Sequence, residues 1–312
     1  MPGPGRPGGL LAVHAHPDDE TLATGALLAT WAAAGLPVTL VTCTRGERGE
    51  VIGDALAHLE GDGPALAAHR ETELAGALAA LGVADHVFLD ALTGARYEDS
   101  GMAWADEGRR AVAAPEAVAA GTALAAQPLD DLAAPLAALV VDRAPSVVVT
   151  YEPGGGYGHP DHVRAHDVTS RALELAARAG HRVPVVLWAA QGRRRARAAR
   201  AALRRLVGPG DALTPPADDD VFASVVVDDE RVAVEVDTRP VRDTVLDALR
   251  AHATQVQHVA AVDDEPALVG RYGLSLGLAE PVLPVEQYRL APGSSPGGLA
   301  GVAWPAGVRP VA

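Results

Sequence analysis

The residues able to do chemistry fall in two short stretches. The first, His16-Pro17-Asp18-Asp19-Glu20, follows an apolar run, Leu10-Leu11-Ala12-Val13, and precedes an Ala/Leu-rich segment from Thr21 to Leu28. It therefore reads as the turn between a buried strand and a helix. Adjacent carboxylates beside an imidazole repel one another at a dry strand end unless something positive neutralises them, and a divalent metal is the usual neutraliser. The plain alternative is that Asp18 or Asp19 caps the following helix. A second stretch weighs against that alternative: Val147-Val148-Val149-Thr150 leads through Tyr151-Glu152-Pro153-Gly154-Gly155-Gly156-Tyr157-Gly158 into His159-Pro160-Asp161-His162. The layout repeats, a β-branched strand, a glycine loop and a helix opened by proline. In open α/β sheets ligands bind outside the carboxyl ends of the strands, so two strand ends each deliver histidine and aspartate to one prospective crevice.

The remaining elements must position these loops. Pro37 to Thr44 is a second buried strand, followed by the charged glycine loop Arg45 to Glu50, either a substrate wall or a solvated turn. A strand joined through a crossover helix runs parallel, so this loop emerges on the same sheet edge. Gly63 to Leu81 has helical spacing; its Arg70 either faces the crevice or pairs with Glu71 or Glu73 in water. A strand at Val87 to Asp90 precedes the long loop Thr93 to Trp104, whose aromatic, Met102 and Asp99 suit sugar recognition if the loop is not simply mobile. Pro128 to Pro145 is helical. Val183 to Trp188 is a strand placed near an edge by Pro184. Strands at Phe222 to Val227 and Val232 to Val236 and a helix from Arg239 to Ala251 follow, and from Pro292 the Gly/Pro/Ser-rich tail is expected to be mobile apart from a docked Trp304. The fold class is α/β: a Rossmann-like, mostly parallel sheet flanked by helices, with a smaller C-terminal strand-and-helix layer. Residues 1–190 form the core, 191–291 the smaller portion and 292–312 the tail.

Composition excludes several functions. The chain has 312 residues, 48% of them hydrophobic, and a net charge of −14, which opposes phosphate-backbone binding as its main business. Seven arginines between Arg193 and Arg205 look like a nucleic-acid or membrane-surface helix, but mixed Ala/Arg helices are commonly solvated faces. No lysine is present, so a Schiff base or a phosphate loop with its lysine is ruled out. The single cysteine, Cys43, rules out an intrachain disulfide framework. Met1 to Gly9 lacks the apolar core of a signal peptide and no apolar run reaches membrane-spanning length, which reads as a cytoplasmic protein with no membrane partner and no nucleic-acid partner. Oligomeric state is not legible.

Taken together, the His-Pro-Asp-Asp-Glu and Gly-His-Pro-Asp-His stretches resemble the signature of the LmbE/PIG-L-like zinc-dependent N-deacetylases. Thr42 to Glu47, Gly49 to Asp54, Asp99 to Met102, Gly155 to His162 and Ala251 to Gln255 resemble the branch of that family that deacetylates N-acetylglucosaminyl-inositol in mycothiol biosynthesis. The likeness runs from about Leu10 to Leu290. It implies that His16, Asp19 and His162 bind one zinc per chain, that Asp18 is the general base, that His159, held by Asp161, is the electrophilic partner, and that Tyr157 polarises the amide oxygen. It further implies that Arg70, Asp99, Glu50 and Met102 contact a small sugar-inositol substrate. Two imidazoles and one carboxylate are a common catalytic zinc set that leaves a position for water, although iron (Fe2+) suits the same N/O ligands. His14 and His166 read as core or supporting histidines, and proximity to a helix N-terminus is expected to lower the pKa of His159.

Three rivals remain. A mycothiol S-conjugate amidase of the same family is expected to carry a lysine after the Asp-Asp pair, where this chain has Thr21-Leu22. A non-catalytic sugar-binding module would keep the pocket without a base. A glycosyltransferase using Asp-Asp would need manganese and a diphosphate ligand.

Overall fold

The computed structural model describes residues 9–105, 110–217, 221–294 and 296–311. The chain opens with β1 (Leu10–His14), α1 (Asp19–Ala33), β2 (Val38–Thr42), α2 (Gly63–Leu81), β3 (Asp85–Phe88) and the short α3 (Leu89–Thr93). An antiparallel pair, β4 (Ala103–Ala105) with β5 (Arg110–Val112), and α4 (Pro115–Ala120) lead to α5 (Leu129–Arg143), β6 (Val147–Thr150), the one-turn α6 (Gly155–Gly158), α7 (Pro160–Arg178) and β7 (Val185–Gly192). Then come α8 (Arg193–Leu206), β8 (Val226–Val227), β9 (Val234–Asp237), α9 (Arg242–Ala251), β10 (Gln257–Ala261), β11 (Gly270–Gly273), β12 (Ala279–Val282), β13 (Val285–Leu290), α10 (Pro296–Ala300) and β14 (Val308–Pro310).

One large sheet has the order β14-β9-β13-β7-β6-β1-β2-β3, with β8 on the end of β7. β1, β2, β3, β6 and β7 are mutually parallel, and β13, β9 and β14 extend them with each strand antiparallel to its neighbour. The expected Rossmann-like, mostly parallel sheet is therefore present. Its direction of growth reverses at β1: the chain runs outward through β2 and β3, then resumes at β6 on the other flank of β1. Crevices form at such a switch point.

The central strands are continuously apolar because helices cover both faces. Their alternate side chains divide between two cores: Leu10, Ala12, Val38, Leu40, Val147 and Val149 pack with α1, α2 and α9, while Leu11, Val13, Val41 and Val148 pack with α5 and α7. α2 is bounded by local signals, Asp62 accepting the Ala65 N–H at 3.1 Å and Gly82 closing the far end at φ 76°.

Several expectations are corrected. Pro184 does not mark an edge: β7 lies inside the sheet between β6 and β13, and the proline stands one residue before the first paired position, where no ladder hydrogen bond is lost. Only Val226–Val227 of the Phe222 to Val227 segment pairs as strand, and the strand foreseen at Val87 to Asp90 ends at Phe88, with Leu89 and Asp90 already helical. The loop after Thr93 is tied down rather than loose: Tyr97 is buried in the second core, and Glu98 exchanges backbone hydrogen bonds with Thr122 and Leu124. The Trp104 side chain lies outside the described residues. The tail also docks, since β14 pairs with β9 and Trp304 meets Trp31 edge to face at 5.8 Å. On α8, Arg193, Arg194, Arg195 and Arg205 pair with Asp228, Asp229, Glu235 and Glu265, and Arg200 lies over Phe222. Four of the seven arginine charges of the helix are therefore met by carboxylates. No helix of the described residues is long and apolar enough to cross a membrane.

Candidate active site

β1 and β6 are direct neighbours, Leu10 opposite Val147, so the loops that follow them open side by side at the switch point. This brings residues some 145 positions apart into contact: His16 Nε2 donates to Asp161 Oδ2 at 3.2 Å. Asp19, in the first turn of α1, faces both imidazoles, its Oδ2 lying 3.3 Å from His16 Nδ1 and its Oδ1 3.3 Å from His162 Nε2. The cap alternative for Asp18 fails, since it occupies the N-cap position without a side-chain capping bond. All these side chains are buried.

The donor set suits a cation. His162 Nδ1 donates to the Gly155 carbonyl at 3.1 Å, which leaves Nε2 as a buried acceptor without a hydrogen-bond partner, aimed at a carboxylate oxygen. Two facing acceptors need positive charge between them. The field agrees at His16: burial opposes its protonation, yet Asp99, Asp161 and Asp19 together raise its pKa well above the ordinary value. Donor atoms mutually within 4.8 Å come from His16, His159 and His162, and from His16, Asp99 and Asp161. Asp19 joins the first group through its contacts with two of its imidazoles. A His-His-Asp cluster thus fits a metal site.

Asp18 lies beside this cluster at φ 123°, and Arg70 approaches its Oδ2 at 3.3 Å. Burial pushes its pKa up to about 6, Arg70 opposing and Asp19 adding to the shift. His159 caps α7, its Nδ1 accepting the Asp161 N–H at 3.2 Å. Two expectations about His159 are corrected here. The Asp161 carboxylate does not hold it, because those oxygens are taken by His16, by the Ser100 N–H at 2.8 Å and by the Ser100 hydroxyl. Its pKa is lowered to about 3 chiefly by burial, then by His16 and His162, rather than by the helix end. With Nδ1 occupied as an acceptor, the neutral ring carries its proton on Nε2. Tyr157 is 58% exposed on the rim, its ring 5.0 Å from that of His162.

The expected substrate contacts divide. Glu50 and Met102 are exposed. Asp99 is buried, with its Oδ1 3.7 Å from His16 Nε2 and accepting the Gly101 N–H at 2.8 Å. Arg70 neither pairs in water nor reaches out: it is buried, and its guanidinium donates to the carbonyls of Gly46 and Pro17. Gly46 is required there, since a Cβ would lie 2.0 Å from Arg70 Nη1. His14 bonds Thr24 at 2.9 Å, its pKa lowered to about 4 by burial, and His166 bonds the Tyr151 carbonyl at 2.9 Å. Both are supporting histidines, as expected.

Sequence reasoning missed three supports. The Tyr151 ring stacks on His162 at 4.3 Å and its hydroxyl accepts the Ala15 N–H at 3.0 Å. Glu47 receives the Asp99 N–H at 3.0 Å and Arg96 at 3.1 Å. Glu20 and His252 form a buried pair. All of them lie in stretches the sequence singles out, Glu20 in the first motif, Tyr151 in the second, Glu47 and His252 in the stretches Thr42 to Glu47 and Ala251 to Gln255, but nothing in those stretches shows which partner each one meets.

A doubly wound α/β sheet with buried imidazoles and carboxylates converging at its switch point, in a cluster that fits a metal site, has the architecture of a Rossmann-like hydrolase. Residues 11–173 match the sequence model of the PIG-L family, described as GlcNAc-PI de-N-acetylase, and the chain belongs to that family of N-deacetylases. A Kineococcus radiotolerans protein named 1D-myo-inositol 2-acetamido-2-deoxy-alpha-D-glucopyranoside deacetylase is 47% identical over 306 residues, spanning 94% of this chain and 80% of that one. A Streptomyces avermitilis protein of the same name is 44% identical, spanning 91% and 92%. Among solved structures, the N,N'-diacetylchitobiose deacetylase of Pyrococcus horikoshii aligns over 96% of this chain and 87% of that one, at 16% identity and a TM-score of 0.49.

Proposed function

We propose that the protein hydrolyses the acetamide of N-acetylglucosaminyl-inositol, releasing acetate and glucosaminyl-inositol, with a zinc ion held by His16, Asp19 and His162. The observation that carries the reading is the orphaned His162 Nε2 facing Asp19, with Asp18 alongside; the similarity to relatives named for that substrate supports its choice. A bound zinc ion supplies Lewis-acid activation of water and polarisation of the amide carbonyl.

The chain's own residues do the rest. The Asp18 carboxylate, its pKa pushed to about 6 by burial, takes a proton from the attacking water and returns it to the nitrogen as the C–N bond breaks, the range in which an acid/base group works near neutrality. His159 Nε2–H donates to the developing oxyanion, joined from the rim by the Tyr157 hydroxyl. Asp161 orients His16 in the manner of a carboxylate behind a ligating histidine. Asp99, Glu50 and Met102 form the sugar-inositol side of the pocket, whereas Arg70 serves it from behind by holding Asp18 and the Gly46 loop. The absence of lysine sets the protein apart from the S-conjugate amidase alternative.

Elemental analysis of the purified protein together with acetate release from N-acetylglucosaminyl-inositol tests the proposal. About one zinc per chain and acetate release abolished by chelation are expected. A clear preference for the mycothiol S-conjugate, or acetate release indifferent to chelation, overturns it.

A further inference from the structure

Asp18 adopts φ 123°, ψ −34°, a backbone shape that only glycine takes readily. A glycine offers no carboxylate, so the shape must be imposed from outside. Two clamps meet at this peptide. Arg70 grips the Pro17 carbonyl on one side. On the other, the Asp18 N–H donates to Glu20 Oε2 at 3.0 Å, while the Asp18 carbonyl accepts the N–H groups of Thr21 and Leu22 at 2.9 Å each.

Glu20 is itself held. It is fully buried, and its Oε1 accepts the Thr21 hydroxyl at 2.5 Å and His252 Nε2 at 2.8 Å. His252, also fully buried, caps the far end of α9. Two residues on, Thr254 is pinned by its N–H and hydroxyl to Glu73 of α2, at 2.7 and 2.6 Å. A side-chain contact across 232 residues, with the Thr21 hydroxyl 3.5 Å from the same His252 Nε2, thereby ties the start of α1 to the end of α9.

We propose that Glu20 and His252 are a positioning pair: they impose the strained peptide at Asp18 and so aim its carboxylate, without touching substrate. The proposal rests on reading Asp18 as the base. If the pair is broken, the peptide relaxes toward ordinary φ and the carboxylate swings away, a misplacement that costs turnover rather than binding.

The test compares His252→Ala, His252→Gln and Glu20→Gln with the wild-type holoenzyme in kcat, KM, zinc per chain and melting temperature. His252→Ala is expected to lower kcat by about 10- to 100-fold, with KM and zinc content held. His252→Gln, whose side-chain amide reaches about where Nε2 lies, is expected to recover most of that loss. Should His252→Ala not fold, the isosteric Glu20→Gln is read instead, with a lower kcat at unchanged KM expected. Unchanged kcat, a loss that follows zinc content or folded fraction, or a His252→Gln no better than His252→Ala overturns the proposal. Asp18→Ala separates the two readings: if it stays active, the base assignment fails, and if it is dead while the pair's variants are fully active, only the positioning pair fails.

Discussion

Each side chain at the switch point is set by what its second polar atom is doing. His162 spends Nδ1 on the Gly155 carbonyl and presents Nε2 to Asp19; His159 accepts at Nδ1 and keeps Nε2–H for a ligand. With zinc held as proposed, His162→Ala is accordingly expected to drop it from about one per chain to near zero, measured by elemental analysis, because two remaining protein ligands fall short of the three a catalytic zinc site uses. His159→Ala is expected to keep zinc and lose about 10²- to 10³-fold in kcat, the usual cost of one oxyanion donor; a loss confined to KM would assign it to binding instead. Asp18→Asn, which keeps the shape but cannot take a proton, is expected to lose about 10²- to 10⁴-fold in acetate release with zinc unchanged.

At the level of elements, α1 is the piece on which the site depends, and it is braced along its length as well as at its start. Glu286 of β13 accepts the N–H groups of Ala26 at 2.7 Å and Leu27 at 3.0 Å, with Tyr288 donating at 2.7 Å. Burial raises its pKa from 4.5 to about 7. A carboxyl whose folded-state pKa lies above its unfolded value binds its proton more tightly in the fold, so its contribution is full below about pH 4.5 and is lost as pH rises through about 7. The gap in melting temperature between Glu286→Gln and wild type should therefore move in favour of the variant from pH 5 to pH 7.5; a gap that does not change with pH refutes the assignment. In β1, Leu11→Ala opens a cavity in the α5–α7 layer and is expected to cost about 2–5 kcal/mol in denaturant unfolding.

For the molecule as a whole, charge and topology answer different questions. A net charge of −14 and an arginine helix four of whose seven arginines are met by Asp228, Asp229, Glu235 and Glu265 oppose phosphate-backbone binding, so salt-dependent retention on duplex DNA is expected to be absent at 50 mM salt, where such binding is strong. Measurable retention lost at higher salt would show that the helix arginines are freer than their ion pairs indicate. The sheet, by contrast, binds the C-terminal third to the core: β13, β9 and β14 continue it, and α9 sends His252 to Glu20.

Local signals determined much of this protein. Apolar runs named the central strands, Asp62 and Gly82 bounded α2, and the His-Pro-Asp-Asp-Glu and Gly-His-Pro-Asp-His stretches announced the donor set, because strand burial, helix ends and ligand chemistry are written in neighbouring residues. Pairings were not. That β7 is interior despite Pro184, that the tail adds a strand, that Asp161 serves His16 rather than His159, and that Arg70 turns inward to Asp18 all depend on which elements become neighbours across the sheet. A contact between residues 232 positions apart, such as Glu20 with His252, leaves no periodicity in the chain; only the closed tertiary packing decides it.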